Sequence, residues 1–142
     1  MSTVTGRLAY KYQVFMSNGR HSIIADEPIG HSTDLGPGPY ELLCASLAAC
    51  KAMTVRMYAE RKGWPLEGMD IVVSHEKVKA SRCDECESTK GFVDIFECDM
   101  TFHGGLDSDQ RERLKEISTR CPVHRSLLSE TIIHSNLVQQ SA

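Results

Sequence analysis

No cluster of Lys and Arg occurs anywhere in this chain, and its formal net charge is −3. Neutralising phosphates takes a basic face, so a nucleic-acid partner is not expected. No signal-like stretch stands at the start: residues 1–15 mix Ser, Thr, Arg and Lys with single apolar residues, and a cytoplasmic protein is expected. No uninterrupted apolar run reaches membrane-spanning length. The longest, Tyr40 to Ala59, is broken by Glu41, Lys51 and Arg56. Charges inside hydrocarbon are costly, so this run reads as a buried helix and no membrane partner is expected. Internal repeats, linkers and low-complexity tracts are also lacking. What remains is a single domain over residues 1–142, and 41% hydrophobic with 25% charged residues suits an ordinary globular one.

The elements follow from local chemistry. Residues 4–16 (VTGRLAYKYQVFM) and 21–26 (HSIIAD) read as two strands joined at Ser17-Asn18-Gly19, because Asn-Gly adopts the positive φ of a tight turn. A loop rich in Gly, Pro, Asp and His runs from Glu27 to Gly38. Pro39 then stands at a first helical position, where its missing N–H costs nothing. The helix it opens runs to Lys62 and stops at Gly63 and Pro65. Leu43, Leu47, Cys50, Met53, Thr54 and Met57 share one face. Leu42, Ala45, Ala48, Ala49 and Val55 lie elsewhere around the cylinder. So apolar a helix needs more cover than a small sheet supplies, and a partner subunit would provide it.

Met69–Val78 and Phe92–Phe102 read as two further strands. In the second, Phe92, Phe96, Cys98, Met100 and Phe102 share a face opposite Glu97, Asp99 and Thr101. Asp107 or Ser108 can cap a surface helix, DQRERLKEISTR, that turns Leu114 and Ile117 inward. A short apolar helix follows Cys121-Pro122, and Thr131–Val138 reads as a last strand. The fold class expected is α+β.

The chain has six cysteines, Cys44, Cys50, Cys83, Cys86, Cys98 and Cys121. In a reducing compartment they stay as thiols, which argues against a disulfide framework and leaves packing, metal binding or redox work. Cys50 sits mid-helix among small residues. It is either a small buried hydrophobe or a working thiol, and as a thiolate it would need a neighbouring cation. Cys121 precedes Pro122 and is therefore the N-cap of its helix, where free backbone N–H groups favour a sulfur anion. Arg120 and Arg125 are near it in sequence. An ordinary capping role is the alternative.

Cys83 and Cys86 form a CxxC. With Cys121 and His124 they could make a Cys3His zinc site, although 34 residues lie between Cys86 and Cys121. Asp84, Glu85 and Glu87 would raise the thiol pKa values, so a solvent-exposed acidic loop is the default. Cys44 and Cys98 read as core. His124 alone among the histidines is placed to act; His21, His31, His75, His103 and His134 read as surface or strand positions.

Several segments in order resemble the OsmC/Ohr family, osmotically inducible protein C and the organic hydroperoxide resistance proteins. They are Asp26-Glu27-Pro28, Gly38-Pro39-Tyr40-Glu41-Leu42-Leu43, Ala49-Cys50 with Met53-Thr54, and Arg120-Cys121-Pro122. The resemblance spans nearly the whole chain. It implies an intertwined homodimer in which sheets from both subunits wrap two central helices. It also implies a thiol peroxidase acting on organic hydroperoxides, with no bound cofactor. Cys50 would then be the peroxidatic and Cys121 the resolving cysteine, with an external dithiol as reductant.

Members that reduce hydroperoxides carry an Arg and a Glu beside the reactive thiol, the Glu directly after the helix-opening Pro. Here Tyr40 holds that position and the carboxylate is Glu41, about 100° further round the helix. Tyr10 and Lys11 occupy the first-strand stretch where the family's Arg would stand, and Arg20 lies beyond the turn. The CDEC loop lies outside the peroxidase pattern. A zinc-bearing regulatory domain and a non-catalytic protein of the same fold are the rival classes.

Overall fold

Tyr10 and Gln13 face each other across a two-residue turn, which makes three strands of what the sequence pattern suggests are two. A computed structural model of the chain describes residues 1–138. In it β1 (Thr5–Tyr10), β2 (Gln13–Ser17) and β3 (Ser22–Ala25) form an antiparallel sheet in the order β1-β2-β3. The first turn goes unseen in the sequence because it uses neither Gly nor Asn: Lys11 itself takes a positive φ of 46°. The second follows expectation, with the Asn18 side chain accepting from the Arg20 and His21 N–H groups.

The helix α1 spans Pro39–Lys62, the expected bounds. Gly63, at φ 67°, closes it: Gly63 N–H donates to Glu60 O and Trp64 N–H to Ala59 O, a Schellman stop. Its buried row is Leu47, Lys51, Val55 and Ala59, with Tyr58 alongside. That corrects the face read from the pattern, since Met53 and Met57 are both 63% exposed and Leu43 is 39% exposed. A helix apolar all round has no stripe for periodicity to find. By length and composition α1 could cross a membrane, but one row of it is buried against protein and a Lys lies in that row.

The strands β4 (Leu66–Lys79) and β5 (Phe92–Gly104) pair with each other and are longer than expected. Along β5 the expected alternation holds from Phe96 to Phe102, whereas Phe92 at its outer end is exposed. Gly104 takes φ 132°, and a Cβ there would stand 2.0 Å from Pro65 O, so only glycine fits. The helix α2 (Ser108–Ser118) opens on a full capping box between Asp107 and Gln110 and buries Leu114 and Ile117. The helix α3 (Pro122–Leu128) has Cys121 as its N-cap.

The expected last strand is not formed. Residues 131–138 pair with no strand among the described residues, and Ile132, Ile133, Leu137 and Val138 are 73–99% exposed. Apolar patterning says what a segment would do beside a neighbour, not that the neighbour is there. The chain divides into two compact units, residues 1–48 with 71–100, and residues 49–70 with the described part from 101 onward. Both α1 and the β4–β5 pair contribute residues to each.

In the first unit, Asp26 organises the loop between β3 and α1. It is buried, and its carboxylate accepts from Glu27 N–H (2.7 Å), Thr33 Oγ1 (2.6 Å) and Leu35 N–H (3.0 Å). Burial alone would raise its pKa. The hydrogen bonds from Thr33, Leu35 and Glu27 win and hold it well below the usual carboxylate range.

Candidate thiol site

The second unit brings together two thiols and a buried cation. Ser118 ends α2, and after two turn residues Cys121 starts α3; Pro122 at the first helical position ties the sulfur to the open helix end. There Cys121 Sγ accepts from His124 N–H at 3.2 Å. Cys121 is fully buried and has the Cys50 thiol of α1 as its neighbour, while Cys50 itself is only half-buried. Neither is in a disulfide.

Lys51, the residue after Cys50, is 3% exposed. Its ammonium donates to Ser118 O at 3.1 Å and to His124 Nδ1 at 2.9 Å. An ammonium has only donors, so Nδ1 must be the acceptor and the imidazole proton sits on Nε2. Burial, and then the Lys51 charge, push the His124 pKa below its ordinary value, so the ring is neutral.

Burial also pushes the Cys121 thiol up. The His124 N–H opposes this, the Cys50 thiol adds to it, and Lys51 pulls it down. Cys121 is therefore a buried, protonated thiol with the means to stabilise its anion once formed.

Sequence reasoning missed Lys51. Its signal was present, a charge inside an apolar helical row directly after the candidate cysteine, yet it read only as an interruption of that row. Of the two arginines near Cys121, Arg120 is 3.7 Å from Glu116 on the exposed face of α2. Among the described residues Arg125 has no ion-pair partner.

The other candidate residues fall in the first unit. Glu41 is exposed, and its Oε1 accepts from Gly38 N–H at 3.1 Å, the reciprocal half of a capping box at the start of α1. It also borders a cavity of about 400 Å³ with Tyr40, Cys44 and His75. Cys83 and Cys86 are joined as a disulfide, contrary to the expectation of thiols throughout, because two cysteines three apart in a turn come within bonding reach. Among the described residues no group of three His, Cys, Asp or Glu is placed to hold a metal ion. Cys44 and Cys98, expected in the core, are half-buried. His75 and His103 are strand residues, bonded to Asp94 and Asp70 at 2.8 and 2.6 Å.

The family described as OsmC-like protein matches residues 30–135, most of the chain and the stretch holding both thiols. The chain belongs to the OsmC-like protein family. Its fold agrees. The OsmC-like protein of Mycoplasma pneumoniae superimposes with a TM-score of 0.67 at 19% identity, over 90% of this chain and 87% of that one. An organic hydroperoxide resistance protein OsmC of Legionella pneumophila gives 0.64 at 18% identity, over 89% and 88%. An organic hydroperoxide resistance protein of Elizabethkingia anophelis gives 0.67 at 16%, over 89% and 86%. Among curated proteins none is significantly similar in sequence. At such identities the likeness between this OsmC-like protein and those structures is one of fold.

Proposed function

We propose that this OsmC-like protein is a thiol peroxidase that reduces organic hydroperoxides through a two-cysteine cycle. The observation that carries the reading is the pairing of a half-exposed thiol, Cys50, with a buried one, Cys121, beside the Lys51 ammonium. The accessible sulfur meets the oxidant and the enclosed one captures the product.

The Cys50 thiolate attacks the distal oxygen of ROOH; the O–O bond breaks, and the alkoxide takes a proton and leaves as ROH. Cys50 is then a sulfenic acid. Cys121 attacks its sulfur, hydroxide leaves as water, and a Cys50–Cys121 disulfide forms. An external dithiol restores both thiols. Cys50 shares a helix face with Met53 and Met57 at three- and seven-residue steps, and such apolar surroundings favour an alkyl hydroperoxide over hydrogen peroxide. A second copy of the chain covers Met53 and Met57, and the intertwined homodimer and the cytoplasm, with its dithiol reductants, belong to the same proposal.

The test is stoichiometry. With cumene hydroperoxide, the reduced protein should lose two thiols per chain and release one cumyl alcohol, and dithiothreitol should restore both thiols. Protein that stays reduced under conditions that oxidise an active peroxidase ends the enzymatic reading.

A further inference from the structure

We propose that the Cys83–Cys86 disulfide is a second redox couple, one that exchanges electrons with external thiols independently of Cys50 and Cys121. Three observations lead there. First, the bond holds nothing else together: it closes a loop of minimal length, which removes little entropy from the unfolded chain, and it joins no two elements. The neck of the loop is already closed by Ala80 N–H donating to Gly91 O at 2.9 Å, and Cys83 N–H donates to Ala80 O at 3.1 Å. Second, it is accessible. Residues 84, 85 and 87–91 are exposed, and both cysteines are half-buried.

Third, Cys83 lines a cavity of about 520 Å³ together with Val78, Phe92 and Ile95. Lys77, Lys79 and Arg82 line it together with Asp84 and Glu85. Lys77 is held by Asp94 at 2.8 Å, whereas Lys79 and Arg82 have no ion pair among the described residues. They offset the two acids around Cys83, the sulfur that the cavity lets an external thiolate reach.

The exchange runs in two balanced steps. A thiolate attacks Cys83 Sγ; the Cys83–Cys86 bond breaks, a mixed disulfide forms on Cys83, and Cys86 leaves as a thiolate that takes a proton. A second thiol, or the other arm of a dithiol, attacks the external sulfur of the mixed disulfide and releases the Cys83 thiolate. Two electrons enter the protein, and two external thiols become one disulfide. An exposed bond that closes so small a loop belongs with the labile disulfides, not with those that resist glutathione.

Trypsin separates the two redox sites, since cleavage after Arg82 and Lys90 isolates both loop cysteines on one peptide and cleavage after Arg120 and Arg125 isolates Cys121. The full-length protein is equilibrated in mixtures of millimolar reduced and oxidised glutathione, quenched in acid and alkylated. The doubly alkylated loop peptide should climb from about one tenth to nine tenths over a roughly hundredfold rise in [GSH]²/[GSSG], with circular dichroism unchanged. A loop that stays oxidised in reduced glutathione alone overturns the proposal. So does one that stays reduced at every ratio, that binds zinc through the two thiols, or that unfolds the protein when reduced.

Two variants test which sulfur is attacked. In Cys86→Ser, oxidised glutathione should label Cys83 about tenfold faster than it labels Cys86 in Cys83→Ser. Equal rates overturn the assignment of Cys83. Because the loop peptide is read apart from Cys121, a protein without peroxidase activity can still show this couple, and the reverse.

Discussion

The Lys51 ammonium donates to His124 Nδ1 at 2.9 Å and so joins the residue after one thiol to the helix capped by the other. Lys51→Met keeps the length and buries no charge, but it leaves His124 Nδ1 and Ser118 O without their donor. Burying unpaired groups of this kind costs about 1–3 kcal/mol, which urea unfolding will measure. With the cation gone, His124 should titrate closer to its ordinary value by NMR, because one of the two causes that lower it has been removed. An unchanged His124 titration would mean that the ammonium is not where its hydrogen bonds put it.

The Cys121 thiol is raised, chiefly by burial, and in the proposed cycle this would set the pH dependence of its capture of a Cys50 sulfenic acid. Only the thiolate attacks, so at neutral pH a small fraction reacts. The rate should climb about tenfold per pH unit through the alkaline range, until the raised pKa is reached. Stopped-flow measurement of disulfide formation between pH 6.5 and 9.5 checks this. A flat profile would require a thiolate already formed at neutral pH.

Where a residue's own covalent chemistry dictates the backbone, the sequence was readable. Pro39 and Pro122 each mark a helix start, Gly63 a stop, and Asp107, one of the two residues offered for it, a cap. Cys121 as an N-cap thiol followed from Pro122 alone. The failures are of another kind. The buried side of α1 was unreadable because the helix is apolar all round, and a Lys in its buried row looked like a break in the pattern. The Lys11 turn carries no turn residue. Residues 131–138 have the composition of a strand without a partner to pair with, and CxxC spacing is equally compatible with thiols, a metal or a disulfide.

Asp26 makes acid stability a test of the first unit. Its pKa is depressed in the folded state, so the stability it contributes is present above the ordinary carboxylate pKa and is lost as pH falls below about 4. Asp26→Asn should be less stable than wild type at pH 6, since it offers one acceptor oxygen in place of two to Glu27, Thr33 and Leu35. The gap should narrow as pH drops from 4 to 2.5. Urea unfolding of both proteins across that range decides, and a gap independent of pH would place the depressed carboxylate elsewhere.

The exposed methionines of α1 bear on assembly. Met53 and Met57 are each 63% exposed and four residues apart on one face. If a second copy covers them, wild type should sediment as a dimer at micromolar concentration. Met53→Glu with Met57→Glu should shift it to monomer, because a desolvated pair of carboxylates at an apolar interface costs several kcal/mol. A wild type that is monomeric, folded and soluble would remove the dimer from the functional reading.

The roles of Cys50 and Cys121 separate most sharply in single variants. After brief alkyl hydroperoxide treatment, wild type should carry an intramolecular disulfide linking the two. Cys121→Ser should stop at a Cys50 sulfenic acid, trapped by dimedone, and pass on to sulfinic acid with more oxidant, because no thiol remains to capture the intermediate. Cys50→Ser should form neither product. Its Cys121 is fully buried and its thiol pKa is raised, so it meets the oxidant poorly and is mostly protonated when it does. Mass spectrometry of the three tryptic digests reads each outcome directly. A Cys50→Ser protein whose Cys121 forms the sulfenic acid as fast as wild type consumes peroxide would reverse the assignment: the buried, helix-capping thiol would be the attacking one, and access to it would have to come from opening of the α3 end rather than from the exposed side of α1.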